Sequence, residues 1–138
     1  MRTIIGITGA SGGAVAVEFI KRCPGEKILV MSRWGKAVLQ QETVLTSQDL
    51  APLVTTIFSN DDLNAPLASG SIPFDHYIVL PCSITTLGRL ACGIGENLIT
   101  RIGEVALKGL SQPVAIYNVP LTDGHAALRV IEGGAPSA

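Results

Sequence analysis

Five small residues, Gly9-Ala10-Ser11-Gly12-Gly13, follow the apolar run Thr3–Ile7. A bare backbone beside one hydroxyl suits the close approach of an anion. Glycine leaves the amides uncovered, and a helix start adds N–H donors and the positive end of its dipole. Two further hydroxyl-bearing segments stand in equivalent places. Ser32 follows the apolar run Lys27–Met31, and Ser83, with Thr85 and Thr86 behind it, follows Tyr77–Leu80 and the pair Pro81-Cys82. Hydroxyls at several strand ends of one sheet can converge on a single phosphate-bearing ligand. The rival reading is three N-caps, each satisfying its own helix. The spacing of Gly9, Gly12 and Gly13 is not GxGxxG, and no Lys-Ser/Thr pair follows, so the dinucleotide fingerprint and the Walker loop are both absent.

The elements that would position these residues alternate in type. Strands are predicted over Thr3–Ile7, Lys27–Met31, Val54–Phe58, Tyr77–Leu80 and Pro113–Tyr117, and helices over Gly12–Arg22, Arg33–Glu42, Ser83–Ala91, Asn97–Lys108 and Asp123–Ile131. Trp34, Val38 and Gln41 mark a face of the second helix, and 60–73 reads as a loop. This order predicts an α/β fold of three layers, Rossmann-like (flavodoxin-like), with a parallel sheet covered by helices on both faces and one domain over residues 1–138. In such sheets ligands bind at the carboxyl ends of the strands, where the three hydroxyl segments fall.

Composition narrows the function. With 138 residues, 47% apolar and only 15% charged, the chain can bury a real core. A net charge of −1 leaves no electrostatic footprint for nucleic acid. No apolar run is long enough to span a membrane, and Met1-Arg2-Thr3 leads into a strand without a leader pattern. Cys23, Cys82 and Cys92 are odd in number and lack metal-site spacing, so they read as reduced thiols of a cytoplasmic protein. A mean hydropathy of +0.43 points to apolar surface covered in a homo-oligomer.

The segments GITGASGG, VMSRWGKAVLQQET, ASGS, VLPCSITTLGRLACGIGENLITRIGEVALK and VPLTDGH occur in order between about residues 3 and 133, and together they resemble the UbiX-type flavin prenyltransferases, Rossmann-like FMN-binding proteins. The resemblance implies transfer of a dimethylallyl group from dimethylallyl phosphate to reduced FMN, giving prenylated FMN for UbiD-type decarboxylases. It also implies a homo-oligomer, a dodecamer built of trimers with flavin between subunits, and no metal. Gly9, Ala10 and Ser11 would then hold FMN at the first turn, Ser32 after the second strand, and Ser83, Ile84, Thr85 and Thr86 at the Pro81-Cys82-Ser83 turn. Arg101 matches an arginine at the ligand phosphates, Lys108 a lysine at the prenyl phosphate, and Glu42 an acidic residue in the reaction zone. Arg101 and Lys108, seven apart on one helical face, could equally form a solvated surface, and Glu42 could simply end its helix. His125 reads as a cap or packing residue and His76 as surface.

The resemblance also has departures. The family carries an Arg-Glu pair before the Pro-Leu of the fifth strand, where this chain reads Tyr117-Asn118-Val119-Pro120. The family pattern continues about a strand and a helix past the position of Ala138, to a tyrosine near the prenyl phosphate. Three readings follow: a divergent flavin prenyltransferase; a non-catalytic binding or carrier protein for FMN or prenylated FMN; and a generic phosphate binder on an α/β sheet.

Overall fold

The first apolar run forms β1 (Arg2–Ile7), which lies between β2 (Glu26–Met31) and β4 (His76–Val79), with β3 (Thr56–Ser59) outside β2. The computed structural model describes residues 1–108, with side chains as far as Ala106, and the backbone of two further strands, Ile116–Asn118 and Arg129–Ile131. The chain divides into two compact units, Met1–Ala106 and Leu107–Ala138.

In the first unit all strand pairs are parallel, and Ile5 stands opposite both Leu29 and Ile78. Alternate residues of the strands serve opposite faces. Ile5, Ile7, Leu29 and Met31 pack with Ala16, Val17 and Ile20 of α1 (Gly13–Arg22), Leu39 of α2 (Arg33–Thr43) and Leu50 of α3 (Ser47–Leu50). Ile4, Ile28 and Val30 pack on the other face against Leu98, Ile99 and Ile102 of α5 (Leu98–Lys108). The remaining helix, α4 (Ile84–Cys92), follows β4. The expected α/β architecture, a parallel sheet with helices on both faces, is therefore present.

Three expectations change. In α2 the buried residues are Gly35 and Leu39, while Trp34 is 69% exposed. Gly35, with no side chain, lets α2 sit against the sheet, and this rotates Trp34 outward. The segment 60–73 includes a 3-10 turn, Pro66–Ser69, that buries Leu67 and Ala68. The helix expected over Asp123–Ile131 is overturned at its end. In the second unit Arg129–Ile131 is a strand, β6, paired antiparallel with β5 (Ile116–Asn118), as suits the β-branched pair Val130-Ile131.

Candidate functional site

The carboxyl end of β1 is stitched to its neighbours residue by residue. The Ser32 amide donates to the Ile7 carbonyl at 3.0 Å, and the Ser32 hydroxyl accepts from the Gly35 amide at 2.9 Å, capping α2. A Cβ on Gly35 would collide with the Ile7 carbonyl oxygen, and one on Gly9 would lie 2.5 Å from the Trp34 Cβ. Gly9 is thus required by the approach of α2, not by a ligand alone. On the other side of β1, the Thr8 amide and hydroxyl both donate to the Pro81 carbonyl, at 3.1 and 2.7 Å, and the Thr8 hydroxyl accepts from the Ser83 amide at 2.7 Å.

Ser83 caps α4, its hydroxyl accepting from the Thr86 amide at 3.2 Å and lying 2.9 Å from the Thr86 hydroxyl. The next two amides of α4, those of Ile84 and Thr85, have no partner among the described residues. Such groups are the orphan donors of a helix start. Ile84 is 89% exposed beside them.

At α1 the cap amide and the first helical amide are occupied. Glu42 Oε2 accepts from the Gly13 amide at 2.8 Å and the Gly12 amide at 3.1 Å, while Oε1 accepts from the Ser11 hydroxyl at 2.7 Å. The N-cap of α1 is Gly12, at φ 121°, and it has no side chain to offer. A carboxylate from α2 therefore does the work that a phosphate or a capping serine would do at the positive end of α1. The Ser11 hydroxyl, followed by the Gly13 and Gly12 amides, holds the Glu42 carboxyl below its ordinary value. Ser11 is thus not the N-cap of α1, and Glu42 is more than the end of its helix.

Among the described residues, Arg101 makes no hydrogen bond or ion pair to this cluster. It lies in the first turn of α5, 3.2 Å from Glu104. Asn60 fixes that turn: its carbonyl accepts from the Leu98 amide at 2.8 Å and its side chain from the Ile99 amide at 2.9 Å. The side chain of Lys108 and all of His125 lie outside the described residues. The structure therefore gathers Gly9, Ala10, Ser11, Ser32, Glu42 and Ser83–Thr86 about the carboxyl ends of β1, β2 and β4, with Trp34 and Ile84 exposed at the rim. Thr8 and Asn60 are the residues that sequence reasoning passed over, because a threonine ending a strand and an asparagine after one look like ordinary β and turn chemistry. Cys82 is half-buried and its thiol is pushed up by burial, which opposes thiolate chemistry there. Among the described residues no group of His, Cys, Asp and Glu could hold a metal ion, and no helix is long and apolar enough to cross a membrane.

A recess of about 360 Å³ lies at the opposite, amino end of β1, lined by Thr3, Phe19, Cys23, His76 and Ile78 among others. The strand-end cluster is the better candidate, since it combines uncovered amides, hydroxyls, an ionised carboxyl and exposed apolar side chains, enough to hold an anion and an apolar ring together.

Residues 1–126 match the family model described as Flavoprotein. Flavin prenyltransferase UbiX of Archaeoglobus fulgidus is 37% identical over 141 residues, covering 98% of this chain and 78% of that protein. The crystal structure of AnUbiX (PadA1) in complex with FMN and dimethylallyl pyrophosphate superposes with a TM-score of 0.73 at 34% identity, over 78% of this chain and 58% of that one. A dodecameric FMN-dependent UbiX-like decarboxylase from Escherichia coli O157:H7 gives 0.74 at 36% identity, over 78% and 61%. The chain belongs to the flavoprotein family and, within it, to the UbiX flavin prenyltransferases. It spans about three fifths of the length of several curated relatives that it matches.

Proposed function

We propose that this chain binds FMN at the strand-end cluster and, as a flavin prenyltransferase, moves the dimethylallyl group of dimethylallyl phosphate onto reduced FMN. The observation that carries the reading is the convergence of the turns after β1, β2 and β4, with the Glu42 carboxyl 2.7 Å from the Ser11 hydroxyl inside it. The residues fit the cofactor. The uncovered amides of Ile84 and Thr85, with the hydroxyls of Ser32, Ser83, Thr85 and Thr86, suit one phosphate, and exposed Trp34 and Ile84 suit a ring system. Gly9, Ala10 and Ser11 would form the floor beside it. Reduced FMN supplies a nucleophilic ring when bound.

The chain's own groups then have distinct tasks. Arg101, with a planar fork of donors, would serve the ligand phosphates, that of FMN and, together with Lys108, that of the substrate, and these would compete with Glu104 for that guanidinium. Glu42 is held ionised by three donors and can take up a proton at Oε1 through the Ser11 hydroxyl. Homologues support a homo-oligomer, a dodecamer as in the similar Escherichia coli structure, and exposed Trp34, Ile84 and Leu87 are the surface such an assembly would cover. A UbiD-type decarboxylase as recipient and a cytoplasmic location belong to the same reading. A 14.4 kDa monomer in light scattering would count against the assembly.

A second reading rests on Tyr117-Asn118-Val119, which stand where the family pattern has its Arg-Glu pair. On it, the protein binds FMN or prenylated FMN and carries it without forming the carbon–carbon bond. Anaerobic incubation with reduced FMN and dimethylallyl phosphate separates the two. A flavin heavier by one prenyl group supports the transferase; tight FMN binding with no such product over hours supports the carrier. FAD bound more tightly than FMN would sink both.

A further inference from the structure

Thr8 is buried, 2% exposed, at the junction of the two turns that bear most of the candidate ligand contacts. All of its hydrogen-bonding groups are engaged in that junction. Its amide and hydroxyl converge on the Pro81 carbonyl, its hydroxyl also accepts the Ser83 amide, and its own carbonyl accepts the Ala10 amide at 2.9 Å. One side chain therefore spans residues 73 and 75 positions away in sequence and closes the gap between the β1–α1 turn and the β4–α4 turn. A hydroxyl is the only small group that can donate to one carbonyl and accept from one amide at once. Valine has the same shape and can do neither.

We propose that Thr8 is a positioning residue: its hydroxyl sets the spacing of the Gly9–Ser11 and Ser83–Thr86 segments, so that one ligand reaches both. The bond from the Ser83 amide matters most. It turns that amide away from the ligand, fixes the Ser83 backbone, and so aims the next amides, those of Ile84 and Thr85, into the open site. Without it the half-buried Ser83 amide would lack its partner, and the turn would move to find water. The inference rests on the reading of this cluster as an FMN site, and it adds a residue that touches no ligand.

The experiment compares Thr8→Val and Thr8→Ser with the parent protein and with Leu50→Val, a buried α3 substitution that lowers stability away from the turns. FMN affinity is read by flavin fluorescence and by the visible spectrum of the bound flavin, and exchange of the Ser83 amide is read without ligand. Thr8→Val should weaken FMN about tenfold, the equivalent of one lost hydrogen bond at a half-buried amide, and should expose the Ser83 amide to exchange. Thr8→Ser should restore both, and Leu50→Val should lower the melting temperature while leaving FMN affinity unchanged. If Thr8→Val binds FMN as the parent does, or keeps Ser83 protected, the positioning role is wrong. If Leu50→Val loses as much affinity as Thr8→Val, the effect is one of stability and the role is equally wrong. If the parent itself does not bind FMN, the cofactor reading fails, and amide exchange in the Thr8 variants alone decides whether the hydroxyl sets the turn.

Discussion

The hydroxyl of Ser11 donates to Glu42 Oε1 at 2.7 Å across 31 positions of sequence, and the other oxygen of that carboxyl seals the start of α1 through Gly12 and Gly13. The link ties the β1–α1 turn to the last turns of α2 and makes one carboxylate serve both as helix cap and as acid–base candidate.

That double role gives a pH dependence. The folded carboxyl sits below its ordinary value, so the contribution of Glu42 to stability is fully present above the unfolded value and is lost as pH falls through the folded one. Asp49, lowered by the Thr46 amide and hydroxyl at the start of α3, acts in the same direction. Thermal melts of parent and Glu42→Ala should differ at neutral pH and converge in acid. Glu42→Gln should lie between them, because its amide oxygen can still accept from Gly12 and Gly13 while its NH₂ turns to Ser11. Melting curves that stay separated at the lowest pH would refute this.

Gly9→Ala should destabilise the protein, because a methyl there has no room beside α2. The added methyl would sit 2.5 Å from the Trp34 Cβ, so α2 must shift and carry Ser32 with it. Chemical denaturation measures the loss, and Trp34 fluorescence should change with it. An unchanged midpoint would mean that α2 is free to move.

Asn60→Ala should cost about 1–3 kcal/mol by leaving the buried Ile99 amide without its side-chain acceptor. Because Asn60 anchors the turn that carries Arg101, the variant should also weaken phosphate binding more than FMN's ring contacts. Comparing the affinities of FMN and riboflavin tests this: the phosphate's advantage should shrink in Asn60→Ala.

How much of this was legible in the sequence follows from range. The strands of the first unit and the three turns are local signals, since apolar runs that stop at Gly9, Ser32 and Pro81 show their boundaries within a few residues. The face marked by Trp34, Val38 and Gln41 is offset by one residue from the face that meets the sheet, because Gly35 and Leu39 make that contact and a glycine leaves no trace in an apolar pattern. The Ser11–Glu42 and Thr8–Ser83 bonds join segments about 30 and 75 positions apart, and no spacing rule encodes such pairs. The family resemblance marked Glu42 as functional, yet only the fold shows that its carboxyl takes the place at α1 where a phosphate was expected.

The chemistry itself is decided at two places. Under the transferase reading, Glu42→Gln should slow prenyl transfer by about 10²–10⁴-fold, the span of one general acid–base group, while FMN binding persists. Anaerobic turnover followed by flavin mass reads this directly. A rate equal to the parent's would remove Glu42 from the reaction and leave it as the cap of α1. Under the carrier reading the parent shows no transfer, and the substitution to make is the pair Tyr117→Arg with Asn118→Glu in β5, which restores the charges of the family pattern. Arginine beside a departing phosphate stabilises the charge that develops there, and it does so most in a dry site. Activity gained by that variant would trace the silence to Tyr117 and Asn118. A variant that binds FMN and remains inactive would show that the pair alone does not account for it.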